Sequence, residues 1–119
     1  MQCFTELGVW QEARQLVLAV YRASSGFPRS ELYGLTAQLR RAIVSVAANV
    51  AEGSKRRTNS DYARFLNLAE SSLAEAQCLL MLARDLGFLS AEDAGSLLDG
   101  AGHVARRLHA LRTKVEPPA

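Results

Sequence analysis

The side chains with the chemistry for catalysis or metal binding are few, and they do not converge. His103 and His109 lie six residues apart, so they do not share a helix face as a metal-binding pair would. Cys78 has no histidine near it in the sequence, which favours an inert thiol over a nucleophile. Glu52 and Glu75 could form an acid–base pair, but each has an arginine candidate nearby, and ion pairing is the simpler interpretation. With no phosphate-binding glycine loop and no Glu-x-x-His pair, we expect no enzyme, no cofactor and no metal.

Two short basic clusters are candidates for contact with nucleic acid. One comprises Lys55, Arg56 and Arg57, and the other includes Arg106 and Arg107. The chain has 14 basic and 12 acidic residues, a net charge of +2, which is too small for a strongly basic nucleic-acid coat. Two interpretations therefore stay open. The clusters are an ordinary solvated surface, or they add up to a larger field when a ring of identical subunits repeats them.

Four helices in one domain, 1–119, would position these residues. Proline occurs only at position 28 and in the tail, and valine and isoleucine do not alternate as they would in strands. Thr58 and Ser90 each precede an acidic residue by three positions, which resembles a helix capping box. The helices are predicted at about 6–24, 31–54, 59–86 and 91–114. Because the loops are short, the expected fold is an all-α, antiparallel up-down-up-down four-helix bundle.

Composition and the first residues indicate a soluble, cytoplasmic protein. Hydrophobic residues make up 49% of the chain and charged residues 22%, which is typical of a globular domain. No run approaches the ~18 apolar residues that a membrane span needs. The first six residues lack the basic and apolar regions of a secretory signal. We therefore expect no membrane association.

The second and third helices are too apolar to bury only one face each. Each helix has one apolar stripe that is predicted to face the core, and these stripes include Tyr21 on the first helix and Leu32 on the second. The second and third helices each carry a further apolar arc outside that stripe. A bundle buries about one stripe per helix, so the extra arcs predict contact with another copy of the chain. The alternative is a monomer with a wide core face and scattered surface alanines. The predicted oligomer interface consists of Val44, Ala48, Leu68, Leu79 and Leu82.

A predicted polar network runs between these apolar faces. Antiparallel second and third helices would bring Arg41 near Glu75, and Ser45 near Ser72. A carboxylate among leucines needs a cation or several donors, so we expect an ion pair and a hydrogen-bond ladder that fix the register. A ligand pocket between the helices is the alternative. The network consists of Arg41, Ser45, Asn49, Glu52, Ser72 and Glu75.

The segment 38–53 carries a resemblance to a known family. Its sequence, QLRRAIVSVAANVAEG, resembles the signature of four-helix-bundle proteins encoded within intervening sequences of bacterial 23S ribosomal RNA genes. Shorter matches, such as Phe27-Pro28, Tyr33-Gly34-Leu35 and Leu86-Gly87, extend the resemblance over about 4–115. It departs from the family at Ser71, where glycine is common, and at Ala76, where leucine is common.

The resemblance implies a four-helix bundle that assembles as a ring-like homopentamer. The family includes the accessory protein of diversity-generating retroelements, which engages reverse transcriptase and nucleic acid. The family's recurring positions fall on Arg41, Ser45, Asn49, Glu52, Gly53, Ser72 and Glu75. We therefore expect a non-enzymatic oligomeric scaffold that binds RNA or an RNA-handling partner. The alternative is a protein-binding adaptor with no nucleic-acid role.

Overall fold

Four α-helices account for most of residues 3–118, the part of the chain that the computed structural model describes. Short 3-10 turns at Phe4–Glu6 and Arg29–Glu31 precede the first and second helices. No β-strand occurs within residues 3–118, and the predicted all-α class is confirmed. The helices are α1 (Gly8–Ser24), α2 (Leu35–Gly53), α3 (Asn59–Asp85) and α4 (Ala91–Val115).

The start of α2 differs from the sequence-based expectation, which placed it at 31. Gly34 has the non-helical dihedral angles φ −110° and ψ −112°, and it separates the turn at Arg29–Glu31 from α2. The Glu31 carboxylate accepts a hydrogen bond from the backbone N–H of Leu35 at 3.2 Å. Glu31 therefore satisfies one of the unpaired donors at the beginning of α2, a position where sequence patterns favour serine, threonine, asparagine or aspartate.

The boundaries of α3 and α4 follow from local hydrogen bonds. Thr58 Oγ1 accepts from the Asp61 N–H at 3.1 Å, and Ser90 Oγ accepts from the Asp93 N–H at 3.0 Å, which confirms both predicted N-caps. Gly87, with φ of +81°, follows the end of α3, and the N–H of Phe88 returns to the carbonyl of Ala83 at 2.8 Å. Glycine supplies this left-handed conformation without steric cost, so the chain can turn sharply into α4.

Each helix packs against two others: α1 and α3 both contact α2 and α4. Residues near the beginning of α2 contact residues far along α3, and the end of α2 contacts the beginning of α3. Gln38 reaches Glu75, and Gly53 lies against Phe65. The shared interior is aliphatic, which makes burial of apolar surface the main source of stability. Its largest fully buried side chains are Val20, Leu39, Ile43, Val46, Val50, Leu66, Leu73, Leu80, Val104 and Leu108.

Ion pairs join α4 to both of its neighbours. Arg112 Nε donates to Glu70 Oε1 across the α3–α4 contact, where the two side chains are only 20% and 23% exposed. The hydrogen bond to Glu70 raises the pKa of the Arg112 guanidinium. On the other side, Glu12 of α1 accepts from Arg107 and lies 2.9 Å from His103 Nε2. These contacts supplement the apolar packing that holds α4 in place.

Gly53→Ala is expected to destabilise the protein, although alanine favours helices. A Cβ at this position would lie 2.8 Å from the Phe65 Cβ and 3.0 Å from Tyr62 Cδ1, closer than side-chain carbons normally approach. Glycine costs a helix about 1 kcal/mol relative to alanine, but the clash forces α2 and α3 apart. We expect urea denaturation to show a net loss of about 1–3 kcal/mol in the free energy of unfolding.

Gly95→Ala is the matched control for that substitution. Gly95 also lies inside a helix, α4, but its added Cβ would meet no atom within 4 Å. Its free energy of unfolding should therefore stay unchanged or rise by up to about 1 kcal/mol. If Gly53→Ala were as stabilising as Gly95→Ala, the close approach of α2 to α3 would be wrong.

Candidate functional site

Three residues of the predicted polar network form a hydrogen-bonded cluster between α2 and α3. Ser45 Oγ and Ser72 Oγ lie 2.9 Å apart. The amide of Asn49 donates to the Ser45 carbonyl at 2.9 Å and to Ser45 Oγ at 3.0 Å. All three side chains are half-buried, and each takes part in at least one of these hydrogen bonds. The cluster joins α2 to α3 at one register, as the structural interpretation of the network predicts.

Glu75 does not form the ion pair with Arg41 that the sequence predicts within one chain. Its carboxylate accepts from the Gln38 amide at 3.3 Å, and among residues 3–118 no arginine nitrogen lies within 4 Å of it. Gln38 precedes Arg41 by about one helical turn and occupies the flank of α2 that faces Glu75. Arg41 is exposed on the outer side of α2 instead. The predicted pair is therefore wrong for the single chain.

Glu52 also lies apart from the network in which the sequence placed it. It is exposed near the end of α2, and its carboxylate lies 3.8 Å from Arg56, four residues further along. No hydrogen bond joins it to the Ser45–Asn49–Ser72 cluster. At this end of α2, the α3 residues that lie against the backbone at Gly53 are Tyr62 and Phe65. Glu52 therefore pairs locally and does not connect α2 to α3.

An apolar surface remains uncovered where α2 and α3 face outward; we call it the α2–α3 face. Val44 of α2 is 42% exposed, and Leu68 and Leu82 of α3 are 42% and 46% exposed. Ala48 and Leu86 are also exposed on these two helices or at their ends. Large apolar side chains clustered in this way on two neighbouring helices are typical of a protein-binding surface. The α2–α3 face consists of Val44, Ala48, Leu68, Leu82 and Leu86.

Leu79 is the one predicted interface residue that the structure places elsewhere. It is only 6% exposed and belongs to the core cluster together with Ala76, Leu80 and Ala83. Leu79 follows Ser72 by about two helical turns, so it lies on the flank of α3 that faces α2 and is buried inside the chain. The assignment of Leu79 to the oligomer interface is therefore wrong.

A groove between α1 and α2 is the second uncovered apolar surface; we call it the α1–α2 groove. Its volume is about 510 Å³. Tyr21 and Leu32, which the sequence assigned to the core, lie at its surface, and Tyr33 is 94% exposed. The interruption of the helix at Gly34 displaces Leu32 and Tyr33 from the stripe that a continuous helix would give them. The groove is lined by Tyr21, Leu32, Tyr33, Thr36, Ala37, Arg40, Arg41 and Val44.

Arg40 anchors one wall of this groove. Its guanidinium lies 4.7 Å from the centre of the Tyr21 ring, and its Nε donates to Ser24 Oγ at 2.9 Å. Both contacts join α2 to the end of α1, and the cation–π contact fixes the Tyr21 ring at the surface. Neither Arg40 nor the next residue, Arg41, makes an ion pair within residues 3–118. Arg40 is held by these neutral contacts, whereas Arg41 is exposed.

The candidate nucleic-acid residues form two groups that no hydrogen bond or ion pair joins within residues 3–118. Arg56 is held between Glu52 and Asp61 at 3.8 and 3.9 Å, with its guanidinium 4.4 Å from the Phe65 ring centre. Arg107 pairs with Glu12 on α1. The other three, Lys55, Arg57 and Arg106, are exposed and form no ion pair with another described residue. These three have the positive charge most readily available to phosphate.

Neither a metal cluster nor a membrane-crossing helix is found in the described chain. Within residues 3–118, no three histidine, cysteine, aspartate or glutamate side chains come together as metal ligands. The helices of the same range also lack the combination of length and apolar character needed to cross a bilayer. The α2–α3 face and the α1–α2 groove are therefore the candidate functional surfaces of the described residues.

Comparison with known proteins identifies the family. The model of the 23S rRNA-intervening sequence protein family matches residues 5–110. A crystal structure of a protein of unknown function from the S23 ribosomal protein family of Bacteroides thetaiotaomicron has a TM-score of 0.79. The two are 17% identical, over 87% of this chain and 97% of that one, so the likeness shows the fold. No curated protein matches the sequence. The chain belongs to the 23S rRNA-intervening sequence protein family.

Proposed function

We propose that this chain is the subunit of a non-enzymatic oligomeric scaffold. The observation that carries the proposal is the α2–α3 face, where Val44, Leu68 and Leu82 remain over 40% exposed in the single chain. Covering this face with another copy removes apolar surface from water at about 25 cal/mol per Å². The helices in this proposal form an antiparallel up-down-up-down bundle, and the proposal assigns the chain no catalytic step.

The proposed assembly is a ring, and the family resemblance supports five subunits. The α2–α3 face and the α1–α2 groove share only Val44, at their border, so the face of one copy can dock on the groove of the next. A contact between two unlike surfaces repeats in one direction around the assembly and closes into a ring when the rotation allows it. A contact of each surface with itself would instead give twofold dimers.

The dependence of unfolding on protein concentration tests self-association. A folded oligomer is stabilised by mass action, so its thermal or urea midpoint rises with protein concentration. We expect such a rise between micromolar and about a hundredfold higher concentration. A midpoint that stays constant over this range, together with two-state unfolding, would mean that folding and association are not coupled and would contradict the proposed scaffold.

RNA is the partner that we propose for the ring. Lys55, Arg57 and Arg106 are exposed and free of ion pairs with other described residues, and the assembly would repeat them in every subunit. Phosphate contacts release counterions, so the affinity should fall linearly with salt concentration on a log–log plot. The modest positive charges of the individual chains would add up to a larger positive field around the ring.

Substitution of Lys55 and Arg57 by alanine should weaken RNA binding at low salt. We expect the slope of log affinity against log salt to flatten by about one unit per lost phosphate contact, measured with a fluorescent single-stranded RNA. The matched control is the double substitution Arg22→Ala and Arg29→Ala, which removes two exposed arginines near the C-terminal end of α1. Absence of binding at low salt, or an affinity that salt does not change, would favour an adaptor that binds only protein.

A further inference from the structure

One exposed charge that forms no ion pair among the described residues lies in the α1–α2 groove, and another lies beside the α2–α3 face. Arg41 lines the α1–α2 groove beside Ala37 and Val44 and forms no ion pair among the described residues. Glu75 is exposed on α3, between Leu68 and Leu82 in sequence, and its carboxylate accepts a hydrogen bond from the neutral amide of Gln38 at 3.3 Å. The charges are opposite, and each lies among side chains that another copy would cover.

Covering either charge alone would oppose association. Transfer of an unpaired charge from water into a contact costs several kcal/mol, which is comparable with the gain from the surrounding apolar surface. An arginine and a carboxylate placed opposite each other restore the lost solvation through a bidentate, charge-assisted hydrogen bond. The two surfaces are therefore complementary in charge as well as in apolar character.

We propose that Arg41 of one copy forms an ion pair with Glu75 of the next copy. The α1–α2 groove then docks on the outer row of α3, which consists of Leu68, Glu75 and Leu82. The partner is a second copy of this chain, and the inference rests on the proposed self-association. Each copy contributes its arginine at one contact and its glutamate at another. The pair fixes both the orientation and the register of neighbouring subunits, because any other placement leaves two buried charges unpaired.

The single charge reversals Arg41→Glu and Glu75→Arg should each weaken assembly. In either variant, every contact between identical subunits brings two like charges together. We expect the dissociation midpoint, measured by light scattering over a dilution series, to rise at least about tenfold. Circular dichroism should show unchanged helicity, because both side chains are exposed in the single chain. Assembly of both single variants at the wild-type midpoint would overturn the inference.

Mixing the two variants distinguishes a pair between copies from a pair within one copy. In an equimolar mixture, each contact between unlike subunits brings opposite charges together. A ring with an odd number of subunits keeps one contact between like subunits, whereas every contact is repulsive in either variant alone. Differently tagged Arg41→Glu and Glu75→Arg chains should therefore co-purify and assemble with a midpoint at least about tenfold lower than either alone. A pair within one chain would be repelled in each variant whatever its neighbour, so failure to co-assemble would overturn the inference.

Three controls complete the experiment. The double variant Arg41→Glu with Glu75→Arg should assemble alone, and its failure to do so would count against pairing of these positions. On α4, Lys114→Glu and Asp99→Arg make the same charge changes at exposed positions outside both surfaces and should leave the midpoint unchanged. Wild-type protein that stays monomeric would defeat the proposed scaffold itself, whereas assembled wild type without rescue on mixing defeats only the Arg41–Glu75 contact.

Discussion

Val44→Glu is expected to dissociate the assembly while the helices remain intact. Val44 lies at the border between the α2–α3 face and the α1–α2 groove, so it belongs to both proposed contact surfaces. A glutamate there would be covered by the neighbouring subunit and would compete with Glu75 for Arg41, which leaves one covered carboxylate without a partner at a cost of about 3 kcal/mol or more. A loss of that size corresponds to a dissociation constant raised roughly a hundredfold. In the single chain the position is exposed, so folding itself tolerates the charge.

Leu82→Glu should have the same effect from the other side of the contact. Its side chain is 46% exposed on α3, in the outer row that we expect the groove to cover. Ala110→Glu on α4 is the matched control, since Ala110 is exposed but lies outside both surfaces. Size-exclusion chromatography at micromolar concentration should give a late-eluting species for the first two variants and the wild-type position for the control. Unchanged elution of Val44→Glu and Leu82→Glu would contradict the proposed interface.

Leu80→Ala is expected to lower the free energy of unfolding more than Gly53→Ala does. Leu80 is fully buried on α3, and its side chain belongs to the cluster shared by the four helices. Truncation removes apolar contacts and leaves a cavity that close-packed neighbours fill only in part, which costs about 3–5 kcal/mol. Because a domain is stable by only about 5–15 kcal/mol, the variant should unfold at a much lower urea concentration.

The adjacent position provides the comparison for Leu80. Met81→Ala removes a side chain of similar size that is half-exposed on the outside of α3. It should cost less than about 1 kcal/mol, measured at the same protein concentration because association contributes to apparent stability. Equal losses for the two variants would mean that the face of α3 assigned to the core is wrong.

The helices could be predicted from sequence because their boundaries depend on local chemistry. Thr58, Ser90 and Gly87 act through bonds to residues three to five positions away, and these contacts are encoded in the nearby sequence. The start of α2 was predicted too early because the periodic apolar pattern continues through Leu32 and Tyr33, whereas the Gly34 conformation ends the preceding turn. No pattern in the sequence identified Glu31 as the capping side chain.

Within the candidate site, only the contacts that follow from the pairing of α2 with α3 could be predicted from the sequence. The contact of Ser45 with Ser72 follows from counting along two helices joined by a short loop, and the structure contains it. The choice between Gln38 and Arg41 as the partner of Glu75 depends on about one helical turn of register, which the sequence of either helix alone does not specify. Leu79 was misassigned for a related reason, because a helical wheel does not indicate how far a neighbouring helix covers its flank.

Light scattering of the wild-type chain at micromolar concentration tests self-association most directly. We predict a mass several times the 12.9 kDa of one chain, and five times that value if the ring has the number of subunits that the family resemblance implies. The mass should stay constant over a moderate range of concentration, since a closed ring leaves no free surface for further addition. A mass equal to one chain at that concentration would contradict the proposed scaffold.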